Sequence, residues 1–133
     1  MEIDNLVVIV TLLALAVYLW TGIRVGQARH KYGVSAPAIT GAPEFERAYR
    51  AQMNTLEWLP IFLVSMWLFA YYWPAVWAAA IGLIWVLARI WYALSYTRDP
   101  AKRGPGFGLQ AIATMVLLFG ALGKAIYEAA TGG

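Results

Sequence analysis

Residues Trp58 to Ala88 read WLPIFLVSMWLFAYYWPAVWAAAIGLIWVLA, a run of 31 positions without a charged side chain. A single helix of that length would extend about 46 Å, whereas the hydrocarbon core of a bilayer is about 30 Å thick. Pro74 follows the aromatic cluster YYW. Proline suits the first turn of a helix, and Tyr and Trp prefer the membrane interface. The run therefore predicts two membrane-spanning helices joined by a very short turn at Pro74.

Two further uncharged runs flank this stretch. Leu6 to Ile23 is uncharged over 18 positions, about the minimum for a spanning helix, and Gly104 to Gly123 provides a fourth run. The chain of 133 residues is 62% hydrophobic and 13% charged, which is a membrane composition. The first run begins after acidic residues and lacks an A-x-A site, so we expect it to be retained. The sequence predicts an all-α, integral membrane four-helix bundle, with residues 1–133 forming one domain.

The basic residues indicate the orientation of the bundle. Those between the first and second spans are Arg24, Arg29, Lys31, Arg47 and Arg50, and those between the third and fourth are Arg98, Lys102 and Arg103. The positive-inside rule then predicts that both basic loops are cytoplasmic and that both termini and the Pro74 turn lie outside. This one-sided charge explains the net charge of +3 without a nucleic-acid partner. With one His and no Cys, we expect no metal site.

The most polar segment of the chain, Gly41 to Trp58, leads directly into the second span. Pro43 suits a helix start, and nothing interrupts the helix before Pro60, which is expected to bend it. At 100° per residue, three polar side chains share one face: Arg50, Asn54 and Glu57. The pattern predicts a polar stripe that descends from the cytoplasm into the bilayer.

The third span carries a second polar stripe, formed by Arg89, Tyr92 and Tyr96. An arginine at mid-bilayer costs about 2.5–3.5 kcal/mol on insertion scales, so Arg89 should face the bundle interior and have a partner. Glu57, at a similar depth, is the expected partner. The pair could simply hold two helices in register, and the tyrosines could be interface anchors. Alternatively, the two stripes and the Arg103 loop converge into a set of donors that suits a small anionic ligand.

Three segments carry a resemblance to a known family: PEFERAYRAQMNTLEWLP, the preceding VSAPAITG, and LARIWYALSY with its following basic loop. They resemble the MAPEG family, the membrane-associated proteins in eicosanoid and glutathione metabolism. The similarity is greatest to the branch of the leukotriene synthase and the type 2 and 3 microsomal glutathione transferases. The resemblance implies a homotrimer that binds glutathione as co-substrate near the cytoplasmic side, between neighbouring subunits.

The resemblance also assigns roles to individual residues. It implies that one subunit binds glutathione through Arg50, Asn54, Glu57, Tyr92 and Tyr96, and that the neighbouring subunit contributes Arg29 and Gln52. Arg103, just before Gly104, matches the arginine to which the family mechanism assigns activation of the glutathione sulfur. Two positions depart from the leukotriene synthase. Trp58 replaces a tyrosine, and His30 replaces a second arginine on the lipid-substrate side, so leukotriene synthesis itself is not implied.

The activity implied is a glutathione S-transferase that acts on lipophilic electrophiles, as in detoxification, with peroxidase activity toward lipid hydroperoxides. Two alternatives belong to other classes. A non-catalytic lipid-binding membrane scaffold would share the fold, and a four-span multidrug transporter would share size and topology. The retained polar residues favour the enzyme over the scaffold. A transporter would need an acidic residue with few cationic neighbours, whereas Glu57 lies among arginines.

Overall fold

The computed structural model describes residues 4–132 and contains four long helices. These are α1 (Asn5–Tyr32), α2 (Pro43–Tyr72), α3 (Ala75–Arg98) and α4 (Gly104–Thr131), with a short 3-10 helix, Pro100–Lys102, between α3 and α4. All four long helices are of sufficient length and hydropathy to cross a membrane. The predicted all-α class with four spans is therefore confirmed.

The helix ends follow from local sequence chemistry. The carboxylate of Asp4 accepts hydrogen bonds from the amides of Leu6 and Val7, which caps the start of α1. Gly33 ends α1 with a left-handed φ of 67°. Pro43 lies in the first turn of α2, as the sequence predicts, and α2 continues through Pro60. Between α2 and α3 there are only two residues, so these helices form a tight antiparallel pair.

The α2/α3 pair forms the centre of the bundle, because each of these helices packs against the other three. At mid-span the rings of Phe62 and Trp85 stack in parallel, with centroids 4.0 Å apart. Gly82 allows α1 and α2 to approach α3 there. A Cβ added to Gly82 would lie 2.6 Å from the sulfur of Met66 and 2.8 Å from Cγ1 of Val10.

Two tryptophan side chains join helices by hydrogen bonds within the apolar region. Trp67 Nε1 donates to Thr11 Oγ1 at 3.0 Å, which links α2 to α1. Trp73 Nε1 donates to the carbonyl oxygen of Gly120 at 3.0 Å, which links the end of α2 to α4. Because lipid offers no partner to an N–H group, each bond satisfies a donor that would otherwise be costly to bury.

The outer surface of the bundle is apolar. Only 28% of the most apolar stretch of α1 is buried inside the protein. Large side chains such as Leu12, Leu19 and Trp77 are at least half exposed. An exposed apolar belt on four spanning helices is suited to contact with lipid chains, so the chain is an integral membrane protein.

The orientation can be tested by cysteine labelling, because the chain has no cysteine of its own. Ser35 and Thr131 are both exposed, and they lie at opposite ends of the bundle. A membrane-impermeant maleimide should label the Thr131→Cys variant in intact cells. It should label Ser35→Cys only after the membrane is disrupted. The reverse pattern would contradict the predicted orientation.

Candidate functional site

A cleft of about 570 Å³ lies at the basic end of the bundle, between α2, α3 and the start of α4. Its lining residues are Arg50, Met53, Asn54, Glu57, Tyr92, Tyr96, Arg103 and Phe107. Six of these are polar residues that the sequence predicted to converge, and the structure brings all six together. Met53 and Phe107 were not predicted, although each lies one helical turn after a predicted residue, Arg50 and Arg103 respectively.

Helical spacing explains how the cleft forms. Each of the four residues from α2, at positions 50, 53, 54 and 57, is three or four positions from two of the others, and Tyr92 and Tyr96 are four positions apart on α3. Arg103 immediately precedes α4, and Phe107 follows it by four positions. Each helix therefore presents one stripe to the same space.

Aromatic rings form one wall of the cleft. Tyr92 and Tyr96 stack with centroids 5.6 Å apart, and Phe107 lies 6.0 Å from Tyr92. Trp58, half-buried, packs edge-to-face on Phe107 at 5.5 Å. The guanidinium carbon of Arg103 lies 5.9 Å from the centre of the Tyr96 ring, which holds this exposed cation beside the aromatic wall.

The predicted pairing of Arg89 with Glu57 is wrong. Arg89 is fully buried, and its Nη1 donates to Asn54 Oδ1 at 2.9 Å while its Nη2 donates to Thr55 Oγ1 at 2.7 Å. Thr55 is on the buried face of α2. Glu57 follows two positions later, about 200° around the helix, and is exposed. Within residues 4–132, the one ion pair with a nitrogen–oxygen distance below 4.0 Å joins Lys124 and Glu128, both on α4.

Arg89 instead fixes two parts of the cleft. Asn54 accepts its hydrogen bond and also lines the cleft, so the amide is held in a defined orientation. The guanidinium carbon lies 4.4 Å from the centre of the Tyr92 ring. Arg89 thus holds Asn54 of α2 and Tyr92 of α3 in position from the buried side of the cleft, and it does not itself line the cleft.

Gly106 allows α4 to approach α3 closely at the cleft. A Cβ added to Gly106 would lie 2.7 Å from the backbone nitrogen of Tyr92 and 2.9 Å from its Cα. Backbone atoms cannot rotate away as a side chain can, so a larger residue would force the two helices apart. The distance between Tyr92 and Phe107 therefore depends on this glycine.

Arg29 and Gln52, which the resemblance assigned to a neighbouring subunit, lie outside the cleft. Arg29 donates to the carbonyl oxygen of Ala38 at 2.7 Å, and its guanidinium carbon lies 4.8 Å from the centre of the Phe45 ring. Gln52 packs against α1, since a Cβ added to Gly22 would lie 3.1 Å from its Nε2. Neither side chain reaches the cleft of its own chain. His30 is exposed on the last turn of α1.

The chemistry of the cleft suits a small zwitterionic ligand with an excess of negative charge. Arg50 and Arg103 supply two guanidinium groups, and Glu57 supplies one carboxylate. Asn54 and the two tyrosines add neutral donors and acceptors. Guanidinium groups bind carboxylates through charge-assisted hydrogen bonds, and a carboxylate binds an ammonium group in the same way.

Comparisons with known proteins agree with the resemblance. A sequence model of the MAPEG family matches residues 7–123. Microsomal glutathione S-transferase 2 of Homo sapiens is 43% identical over 104 residues, which are 77% of this chain and 71% of the relative. Leukotriene C4 synthase of Cavia porcellus is 39% identical over 94 residues, or 71% of this chain and 63% of the relative. An uncharacterised protein of Synechocystis is 46% identical over 120 residues, covering 90% and 88% respectively.

The role of Gly106 gives a prediction about stability. Gly106→Ala should lower the thermal stability of the detergent-solubilised protein, because overpacking against backbone typically costs about 1–3 kcal/mol. Gly108→Ala is the matched control, since an added Cβ there meets nothing within 4 Å. Its melting temperature should be unchanged or slightly raised, because Ala favours a helix more than Gly does. Equal melting temperatures for both variants would contradict the close contact at Tyr92.

Proposed function

The chain belongs to the MAPEG family, and we propose that it is a membrane enzyme that activates the thiol of glutathione for attack on lipophilic electrophiles. The observation that carries the proposal is the gathering of Arg50, Asn54, Glu57, Tyr92, Tyr96 and Arg103 around one cleft. Two of the similar proteins described above are named as a glutathione S-transferase and a leukotriene synthase. Those names and this cleft chemistry support the same class of reaction.

The charges of glutathione match those of the cleft. The tripeptide has two carboxylates and one ammonium group, and the cleft offers Arg50 for a carboxylate and Glu57 for the ammonium. Asn54 and Tyr96 are suited to its peptide groups. Because Arg89 already orients Asn54, the loss of side-chain entropy on binding is reduced at that position.

Arg103 is proposed to stabilise the thiolate. A thiol with a reference pKa of about 8.5 is mostly protonated at pH 7, whereas the thiolate is the nucleophile. A guanidinium group in contact with the sulfur favours the ionised form. Lowering the pKa by two units requires about 2.7 kcal/mol, which is a reasonable contribution for one charge-assisted contact in a partly desolvated cleft. Arginine suits this role because it stays protonated itself.

The sulfur then attacks an electrophilic carbon. An S–C bond forms as the leaving group departs with its bonding electrons, or as an epoxide ring opens and its oxygen takes a proton from water. With a lipid hydroperoxide, the sulfur attacks the terminal oxygen, the O–O bond breaks, and the departing alkoxide takes a proton from water and is released as the alcohol. A second glutathione reduces the resulting sulfenic acid to the disulfide and water. The electrophile is proposed to arrive through lipid along the exposed apolar faces of α3 and α4.

We also propose that the site is completed by a neighbouring subunit of a homotrimer. None of the residues that line the cleft comes from α1. Arg29, on α1, is bonded to the loop of its own chain, and Gln52 packs on α1. Both residues lie outside the cleft of their own chain, which supports a role in the cleft of another copy.

A non-catalytic scaffold of the same fold would bind lipid without activating a thiol. The position of Arg103, exposed at the cleft beside the aromatic wall, supports the enzyme, because a guanidinium group there is suited to stabilising a thiolate. The catalytic assay below separates them.

Replacement of Arg103 should reduce catalysis. With glutathione and a generic aryl halide as substrates, Arg103→Ala should lower kcat/KM at least about tenfold at pH 7, because less thiolate is stabilised. Its activity should recover as pH rises toward the ordinary pKa of the thiol, whereas the parent should be active at lower pH. Thiolate absorbance measured on the glutathione complex should fall in parallel.

Lys102→Ala is the matched control, because Lys102 is also an exposed cation and does not line the cleft. Its kcat/KM and pH profile should equal those of the parent. Equal turnover in the Arg103→Ala variant would remove this residue from the mechanism. Absence of glutathione binding at millimolar concentration would favour the scaffold.

Mixed assemblies can test the intersubunit site. One chain would carry Arg29→Ala with Gln52→Ala, and the other would carry Arg103→Ala. Each alone should have little activity. Co-expression should restore about one quarter of parental activity, since about one site in four then combines intact groups from both chains. Absence of recovery in mixed trimers of verified mass, or a fully active monomer, would contradict the proposed assembly.

A further inference from the structure

The face formed by α1 and α3, with the start of α2 at its basic end, carries a second set of cavities that share no residue with the candidate site. An apolar groove of about 330 Å³ lies in the membrane region, and its lining residues are Leu13, Ala16, Val17, Trp20, Val86 and Ile90. A polar cleft of about 380 Å³ lies toward the basic end, and its charged residues are Arg24, Lys31, Glu44 and Arg98. The proposed function uses neither cavity.

The residues that line the groove and those that line the polar cleft follow one another along α1 and α3. On α1, the lining residues continue at helical spacing from Leu13 through Trp20 and Arg24 to Lys31, a distance of about 27 Å along the axis. On α3, Ile90 of the groove is one turn from Leu94 of the cleft. The guanidinium carbon of Arg24, which lines the polar cleft, lies 5.0 Å from the centre of the ring of Trp20, which lines the groove.

The polar cleft has an excess of positive charge. Three cations and one carboxylate line it, and none of the four is in an ion pair within 4.0 Å in the part of the chain that the structure describes. Arg24 is half-buried, and it donates instead to the neutral hydroxyl of Thr97 at 2.9 Å. A partly desolvated guanidinium without a counter-ion favours the binding of an external anion.

We propose that this face binds one anionic phospholipid. Its phosphate lies among Arg24, Lys31 and Arg98, and one acyl chain follows the groove from Trp20 toward Leu13. A free phosphate would match the polar cleft alone and would leave the apolar groove unused. A zwitterionic lipid would bring its own cation to a cleft that already has two positive charges in excess, so anionic headgroups are favoured.

Lipid binding can be measured by native mass spectrometry of the full chain in mild detergent. The protein would be titrated with phosphatidylglycerol or with phosphatidylcholine of the same acyl chains. Phosphatidylglycerol should bind to the parent in a saturable manner and more tightly than phosphatidylcholine. In Lys31→Gln/Arg98→Gln, in which both changed residues are exposed, its affinity should fall about fivefold for each cation removed.

Three further variants test the role of charge in the polar cleft. Glu44→Gln removes the carboxylate that opposes the phosphate, so it should tighten the binding of phosphatidylglycerol. Lys102→Gln removes an exposed cation of the same end that lies outside this cleft, so it should leave affinity unchanged. Arg24→Gln should weaken binding most, but it also removes the bond to Thr97, so the variants at exposed positions decide the outcome.

The groove has its own test. Ala16→Trp should fill the apolar part and abolish saturable binding of phosphatidylglycerol, whereas Ala80→Trp, at an exposed position of α3 outside the groove, should not. Equal binding of both lipids, or affinity unchanged in the charge variants, would overturn the proposal. Full competition by glycerol 1-phosphate, with no effect of Ala16→Trp, would also overturn it and assign the cleft to soluble phosphates. These readouts do not depend on glutathione or on turnover.

Discussion

The packing of the basic end of the bundle, which holds the cleft, depends on the hydrogen bonds of the buried guanidinium group of Arg89. It has no exposed surface, and its two terminal nitrogens are bonded to neutral oxygens of Asn54 and Thr55. Breaking these bonds would leave a charge unsatisfied in a low-dielectric interior, which is costly. The two bonds therefore fix α3 against α2 in both register and rotation. Because Tyr92 lies one turn from Arg89 and Asn54 lines the cleft, the same bonds set the positions of two cleft walls.

The charged side chain that supports the helix packing and those that are available to a ligand lie in different parts of the bundle. Arg89 is buried and bonded on the inner face of α2, while Arg50, Glu57 and Arg103 are exposed at the open side of the cleft. An exposed group keeps its hydration until a ligand displaces water, so it can exchange partners at little cost. Gly106 completes this arrangement by letting α4 approach the backbone of α3, which brings Phe107 near Tyr92 and Trp58.

The cleft lies where both substrates of the proposed reaction, one soluble in water and one soluble in lipid, can reach it. Glutathione is charged and comes from water, whereas a lipophilic electrophile partitions into the bilayer. A cleft at the basic end, bordered by spanning helices with exposed apolar faces, is accessible to both. Helix α3 contributes Tyr92 and Tyr96 to this cleft and Ile90 and Leu94 to the proposed lipid-binding face. Residues 92 and 94 are about 200° apart around the helix, so the two surfaces lie on different sides of α3.

The sequence by itself determined the four spans, the turn at Pro74, the helix start at Pro43 and the polar stripes on α2 and α3. These features follow from length, charge and 3.6-residue periodicity, which act within one helix. Only the tertiary structure decided which side chains meet across helices. Arg89 binds Asn54 and Thr55 and not Glu57, because the rotation of α2 turns Thr55 inward and Glu57 outward. The close approach at Gly106 and the hydrogen bond from Arg24 on α1 to Thr97 on α3 likewise depend on the separation of packed helices, which no single helix encodes.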